Sequence, residues 1–260
     1  MNKHRFTKLI TIVTVVFLLG PLVMIMITAF GSAPIIEFPI RGVSFKWFGK
    51  VFASRSLMNG LTTSIKLALI SSGIGVGLAF PASYALTKRK TKLSQSFLSF
   101  LLSPSLIPGI VMGYALFQTL TLAFHLPVWG SLVLGHILVV LPYAIRILAA
   151  GFEQLDESFE EAARSLGCTP IQTFYKVLLP NVKSSIFAAI VMSFINSFNN
   201  LPVSLFLKGP GINTLPVALM SHLEYNFDPT VSAMSVLIMI GTAGLMILIE
   251  KFTGLSEVSQ

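Results

Sequence analysis

Five of the ten acidic residues in this 260-residue chain, Glu153, Asp156, Glu157, Glu160 and Glu161, crowd into one short stretch, and His125, His136 and His222 are spread along its later part. Carboxylate pairs and Ser–His contacts are the groups of general acid–base and nucleophilic catalysis. A protease working inside a membrane would need a Ser–His dyad or paired Asp at mid-depth, but no Gly-x-Ser-x-Gly and no acidic pair accompanies the many serines. Catalysis is therefore not expected, and neither a catalytic residue nor a metal-ligand set is assigned. No phosphate-cradling Gly-x-x-x-x-Gly-Lys-Ser/Thr occurs either. A different polar group, Asn196, Ser197, Asn199, Asn200 and Ser204 beside Pro202, lies in an apolar run. Amides in hydrocarbon are costly unless they bond across helices or face water, so this group is either interhelical glue or the lining of a passage.

The elements that position these residues are apolar runs. The chain is 54% hydrophobic and 11% charged, with 21 Phe. Runs long enough to cross a hydrocarbon core of about 30 Å occur near 9–30, 65–86, 97–123, 131–150, 184–207 and 231–249. The expectation is an all-α polytopic membrane protein with six crossings. The first run, Leu9 to Phe30, has 22 residues, longer than the roughly 7–15 of a cleaved signal, and is read as a retained helix. Sorting Lys and Arg by loop places Lys3, Arg5, Lys8, Lys88, Arg89, Lys90, Lys92, Arg146, Arg164, Lys176, Lys183 and Lys251 on one side. Arg41, Lys46, Lys50, Arg55, Lys66 and Lys208 fall on the other. This 12-to-6 split makes the first side, with both termini, cytoplasmic. The net charge of +8 is thus an orientation signal and not a nucleic-acid footprint. The single Cys168 can form no internal disulfide and is read as a bystander.

No Asp or Glu lies inside any of the six runs, and Glu250 only flanks the last. A proton-driven carrier needs an ionisable relay within the membrane, so this counts against a self-contained secondary carrier. His136, near the expected outer end of the fourth run, is read as a satisfied or interfacial histidine, and Arg146 as a snorkelling one. The runs are interrupted by Gly73, Gly75, Gly77 and Pro81, and by "SPSLIPG" (Ser103 to Gly109), where Ser103 and Pro108 are candidates for lining an adjustable passage. Tight helix packing is the alternative. "SFKWFGKVF" (Ser44 to Phe52) is expected to lie flat at the outer interface.

The acidic stretch opens "DESFEEAARSLGCTPIQTFYKVLLP" (Asp156 to Pro180). Ser158 with Glu161 forms a capping-box pattern, Gly167 sits where a left-handed residue ends a short helix, and Thr169, Pro170 and Gln172 repeat the start signal. The expectation is helix, glycine elbow, helix. Phe159, Ala162, Ala163 and Leu166 make one apolar stripe, and Ile171, Phe174, Tyr175 and Leu178 another. Glu160, Glu161, Arg164, Gln172, Thr173 and Lys176 form the wet faces. Such a knob either packs under its own spans or enters another protein's groove, and the residues alone leave both open.

Glu161 to Pro180 resembles the signature loop of ABC-type importer permeases: Glu161-Ala162-Ala163, three residues, Gly167, nine residues, Val177, one residue, Leu179-Pro180, with Val177 in place of the usual isoleucine. "GHILVVLPYAIRILAAGFEQLD" (Gly135 to Asp156) and "SFNNLPVSLFLKGPGINTLP" (Ser197 to Pro216) are similar to the branch serving spermidine, putrescine and related solutes. The resemblance implies a type I importer permease fold in a bacterial inner membrane, as one domain. Residues 1–60 would give the first helix and outer loop, 61–252 the core helices and 153–180 the coupling helices. It implies ATPase coupling through Glu160, Glu161, Ala162, Ala163, Leu166, Gly167, Pro170, Leu179 and Pro180. The implied partners are a pair of ATP-binding subunits holding ATP and Mg, a second and distinct permease chain, and a solute-binding protein. That protein would meet loops 31–60 and 208–230, which carry Glu37, Glu224 and Asp228. No cofactor in this chain and no nucleic-acid partner is implied. A polyamine is the leading cargo, with opines, other amino-acid derivatives, aminophosphonates and thiamine-like cations as alternatives.

Overall fold

The computed structural model describes the backbone of residues 3–88, 91–156 and 158–253 and the side chains of 7–88, 91–156 and 158–244. Arg89, Lys90 and Glu157 lie outside the described residues, as do the side chains of Lys3, Arg5, Glu250 and Lys251. Among the described residues every regular element is a helix: α1 (Lys3–Ala29), α2 (Lys46–Ala53), α3 (Arg55–Lys88), α4 (Lys92–Leu102), α5 (Gly109–Leu116), α6 (Val128–Glu153), α7 (Ser158–Ser165), α8 (Pro170–Thr173), α9 (Leu179–Asn181), α10 (Lys183–Phe198), α11 (Leu201–Leu207), α12 (Leu215–Tyr225) and α13 (Thr230–Thr253). A 3-10 turn covers Ser103–Leu106, and π-helical turns cover Phe117–Ala123 and Phe174–Leu178.

Among the described residues three helices, α1, α3 and α6, are continuous and apolar enough to cross a membrane, and the number rises to five if each of two bent pairs is one span. The expected third run, 97–123, is not one helix: Lys92–Leu106 and Gly109–Ala123 meet at 98°. Ile107 is extended ahead of Pro108, as the ring of a following proline demands, and the proline lacks the N–H that would continue the ladder. The expected fifth run, 184–207, ends at Phe198 and restarts at Leu201. Asn200 is extended, and its Oδ1 accepts the Val203 N–H as the cap of α11. A further bend of 65° separates Pro170–Asn181 from Lys183–Phe198. Pro21, Pro81 and Pro142, by contrast, sit inside continuous helices, so the expected interruption at Pro81 does not occur.

The chain divides into two compact units. In the unit spanning 59–217, α6 is the central element. Val76, Ala79, Ala144, Ile145, Leu148, Phe152, Val182 and Ala189 form one buried cluster, and Leu67, Leu116, Leu120, Leu132, Val203 and Leu207 another. Of the three alternating glycines only Gly75 is at a close contact, where a Cβ would meet Val140 at 2.7 Å; Gly73 and Gly77 face open space. Ser83 Oγ donates to the Ile145 carbonyl at 3.2 Å, tying α3 to α6.

In the unit made of 1–58 and 218–260, Thr28 Oγ1 donates to Ser232 Oγ at 3.1 Å between α1 and α13. One face of α2 is packed inward: Trp47 and Val51 are buried, and the Trp47 indole donates to the Gly31 carbonyl at 2.6 Å, while Lys46, Lys50 and Phe52 stay exposed. Asp228 is equally fixed. It accepts from the Thr230 backbone N–H at 3.0 Å, sits 2.9 Å from His222 Nε2 and pairs with Lys50 at 3.5 Å. Asp228 is therefore no free acid for a docking partner, contrary to expectation, and Glu37 is paired with Arg41, whereas Glu224 is exposed.

Burial pushes the Asp228 carboxyl up, but hydrogen bonds from Thr230 and His222 together outweigh it and hold the group below its ordinary 3.8. A depressed folded pKa adds stability that is complete above the unfolded value and is lost as pH falls through the folded one. Asp228→Asn should therefore melt below wild type at pH 7, with the gap closing as detergent-solubilised protein is titrated below about pH 4. A gap independent of pH would refute this role.

Candidate functional site

Two places on the 59–217 unit carry convergent polar or exposed apolar chemistry. The first is the segment from Asp156 to Asn181. Asp156 opens it: its Oδ1 accepts the Ser158 N–H at 2.9 Å, and that bond with the neighbouring Ser158 contacts holds the carboxyl below its usual range. Ser158 is thus already helical, and the start signal lies upstream of the expected Ser158–Glu161 box. α7 ends where the Gly167 N–H reaches the Arg164 carbonyl at 2.9 Å and the Cys168 N–H reaches Ala163 at 3.0 Å. These two bonds define a Schellman turn, and Gly167 supplies its left-handed residue at φ +81°. Thr169 and Gln172 form a reciprocal capping box at 2.9 and 3.3 Å, with Pro170 at the helix start. Helix, elbow and helix therefore follow as expected, although α8 passes after Thr173 into a π-helical turn over Phe174–Leu178.

The faces do not follow. Phe159 is 49% exposed, Leu166 85%, Ile171 71% and Tyr175 62%, while Glu160 is only 6% exposed and Thr173 is also buried. The periodicity identified a stripe but not its direction. Of the expected apolar stripes, Ala163 and Leu178 turn inward, Phe174 is half-buried and Ala162 is exposed. Glu161, Arg164, Gln172 and Lys176 are outward as expected, whereas Glu160 pairs with Lys88 on the last turn of α3. Leu179, half-buried, and Pro180, exposed, begin α9 directly after the π turn.

The second place is a cavity of about 400 Å³ at the two helix breaks. Asn196, Asn199 and Asn200 line it, facing Pro104, Ser105, Ile107, Gly109 and Met112 from the α4–α5 bend, with Tyr143 and Val139 from α6 and Pro202 and Val203 from α11. Its lining has carboxamides, one phenol and one hydroxyl, and no carboxylate or cation. Ser103, Pro108 and Ser204 are not in the lining. Ser103 is exposed and donates to the Phe100 carbonyl at 2.7 Å, and exposed Pro108 precedes α5. Ser204 is buried against His136. Tyr143 escaped the sequence reading because a lone tyrosine in an apolar helix gives no signal.

His136 does not line this cavity; it is 1% exposed, with Nδ1 2.8 Å from Ser197 Oγ and Nε2 3.1 Å from Ser204 Oγ. One imidazole stands within hydrogen-bond distance of a serine on each side of the α10–α11 break. Both ring nitrogens are occupied, so no third group orients this His as a base, which distinguishes it from a hydrolase dyad. His222 is bound to Asp228 within the other unit, and His125 occupies a loop at φ 51°.

The family profile "Binding-protein-dependent transport system inner membrane component" matches residues 71–253. The putrescine transport system permease protein PotI of Escherichia coli K12 is 26% identical over 237 residues, covering 88% of this chain and 84% of that protein. The sulfoquinovosyl glycerol transport system permease protein SmoH of Agrobacterium fabrum is 27% identical, covering 84% and 77%. The spermidine/putrescine transport system permease protein PotC of Haemophilus influenzae is 23% identical, covering 82% and 83%. Among solved structures, a bacterial ABC transporter involved in the import of alginate superposes with a TM-score of 0.71 at 17% identity, over 97% of this chain and 98% of that one. The profile takes in the whole Asp156–Asn181 segment and every residue of the Asn-lined cavity. This chain belongs to that family: it is the inner-membrane, multi-pass permease component of a binding-protein-dependent ABC importer and has no catalytic role of its own.

Proposed function

We infer that the chain forms the membrane pathway for a small polar organic solute, with a polyamine or related organic cation first in line, and that residues 153–180 receive work from a separate ATPase. The observation that carries this reading is the outward set Phe159, Leu166, Ile171 and Tyr175 on a capped helix–elbow–helix. A lipid-facing surface would not interleave these groups with exposed Glu161, Arg164 and Lys176, whereas a groove on a partner protein accommodates both kinds. Glu161, Ala162, Leu166, Gly167 and Pro170 then present the docking surface, buried Ala163 anchors it from beneath, and half-buried Leu179 and exposed Pro180 lead out of it.

In this reading the protein is one type I permease domain with six crossings: α1, α3, the bent α4–α5 pair, α6, the broken α10–α11 and α13. Both termini and residues 153–180 face the cytoplasm of a bacterium. Residues 1–60 form the first helix and outer loop, and 61–252 the core. ATP and Mg belong to a pair of ATP-binding subunits, and no cofactor resides in this chain. A second, distinct permease chain completes the pathway, and a soluble binding protein delivers the solute. Polyamine cargo is supported by relatives named for putrescine and spermidine. Carboxamide oxygens and the Tyr143 ring can accept ammonium groups without a carboxylate, a grip weak enough to release.

The test is reconstitution in liposomes. Solute accumulation should require both the ATPase subunits and ATP, and Leu166→Asp with Ile171→Asp should abolish ATPase co-purification while leaving the melting temperature of the permease unchanged. Uptake by this chain alone under an ion gradient would overturn the reading.

A further inference from the structure

The inward carboxylate of Glu160 is unexplained by docking. Its side chain is 8% exposed and ion-paired with the Lys88 ammonium, while the Tyr84 hydroxyl donates from 3.5 Å. Arg164 approaches the same carboxylate only at 4.0 Å, and its side chain is 65% exposed, so water screens it. Lys88 and Tyr84 both belong to the final turns of α3, and Tyr84 stands 76 positions from Glu160 in the chain. Beneath the pair, Phe80 and Tyr84 of α3 contact the Phe152 ring at centroid separations of 5.2 and 5.4 Å and the Phe174 ring at 5.6 and 6.4 Å.

We propose that the Lys88–Glu160 ion pair is the internal linkage that carries displacement of α7 to the end of α3. The proposal rests on the reading of α7 as the seat of the ATPase. The covalent chain ties α7 only to α6 upstream and, through the Gly167 elbow, to α8 downstream. Any motion reaching α3 must pass through noncovalent contacts. The aromatic contacts between α3 and Phe152 or Phe174 bypass α7, whereas Lys88 and Tyr84 grip α7 itself. The Lys88 side chain is 35% exposed against 65% for Arg164, so water screens the Lys88–Glu160 pair less than it screens Arg164 and the pair is the stiffer connection. A cavity of about 140 Å³ opens beside the pair, with Tyr84, Lys88, Phe152 and Glu160 among its walls, and gives the side chains room to follow a moving helix without breaking contact. Glu160 and Lys88 are positioning residues that touch neither solute nor nucleotide. The aromatic contacts persist when a charge is removed, so loss of the link is separable from loss of the fold.

The experiment uses the complete transporter with its ATPase and binding protein, and measures solute taken up per ATP hydrolysed, ATPase co-purification and melting temperature. Glu160→Gln and Lys88→Gln should each bind the ATPase as wild type does, hydrolyse ATP, and lose about tenfold in the uptake-to-hydrolysis ratio. The double Gln variant should be no worse than either single one, and the exchange Lys88→Glu with Glu160→Lys should restore at least half the ratio. Single variants with the wild-type ratio, or an exchange variant as uncoupled as the singles, would overturn the linkage. If the wild-type chain itself neither binds the ATPase nor depends on it, the reading beneath the proposal fails; if wild type is coupled and the charge variants equally so, only the linkage fails.

Discussion

Gly167→Val lowers ATP-dependent uptake by about tenfold or more and releases the ATPase during purification, while Gly167→Asn keeps most of both; this is the expected result of forcing a β-branched residue into the left-handed elbow. The position holds φ +81°, and a Cβ built there meets nothing within 4 Å, so the penalty comes from the backbone and not from a clash. A non-glycine residue held in this region costs on the order of 1–3 kcal/mol, most for Val and least for Asn. The chain escapes that strain by giving up the turn. It then loses the bonds from Gly167 to Arg164 and from Cys168 to Ala163, and with them the relative aim of Leu166 and Ile171. Uptake, ATPase pull-down and melting temperature measured on all three proteins check it. Equal uptake by Val and Asn variants would show that the elbow's geometry is unimportant to coupling.

What was legible before the structure was what short-range physics writes. The Thr169–Gln172 box and the Gly167 elbow are bonds between residues three to five apart, and each announces itself in residue type. The prolines at 104 and 108 likewise mark a break, though its angle of 98° depends on what the halves pack against. Periodicity treats every carboxylate as wet and so puts Glu160 on the outer face, whereas its inward turn depends on Lys88, a residue of α3 far away in sequence. Residue type makes Asn200 either lining or glue, yet its Oδ1 is engaged as the α11 cap while the residue also borders the cavity. One amide thus terminates a helix and furnishes a polar wall. That is economical in hydrocarbon, where the backbone N–H groups freed by a break need a partner. His136 shows the same economy: it satisfies Ser197 and Ser204 across the break, so a polar trio in an apolar setting serves structure.

The cavity's shape depends on a contact no side chain could replace. At Gly113 of α5 a Cβ would stand 2.8 Å from the Pro202 carbonyl oxygen and 2.8 Å from the Phe206 ring. The ring can swing away, but the carbonyl is backbone at the first turn of α11, so Gly113→Ala must separate the two helices. Gly109, one turn earlier, meets the Pro202 ring at 3.0 Å, and α5 and α11 contribute Gly109, Met112, Pro202 and Val203 to the cavity wall. Overpacking a tight contact costs about 1–3 kcal/mol. Wedging these helices apart also widens the cavity between the Asn-bearing break and the α4–α5 bend. Gly113→Ala is therefore expected to melt several degrees lower and to cut uptake severalfold with ATPase binding intact, and Gly113→Leu to accumulate poorly as a folded protein. Gly73→Ala, on a glycine with nothing within 4 Å, is the matched control that should transport normally. If Gly113→Ala behaved like Gly73→Ala in both melting and uptake, the close approach of α5 to α11 would have no part in shaping the pathway.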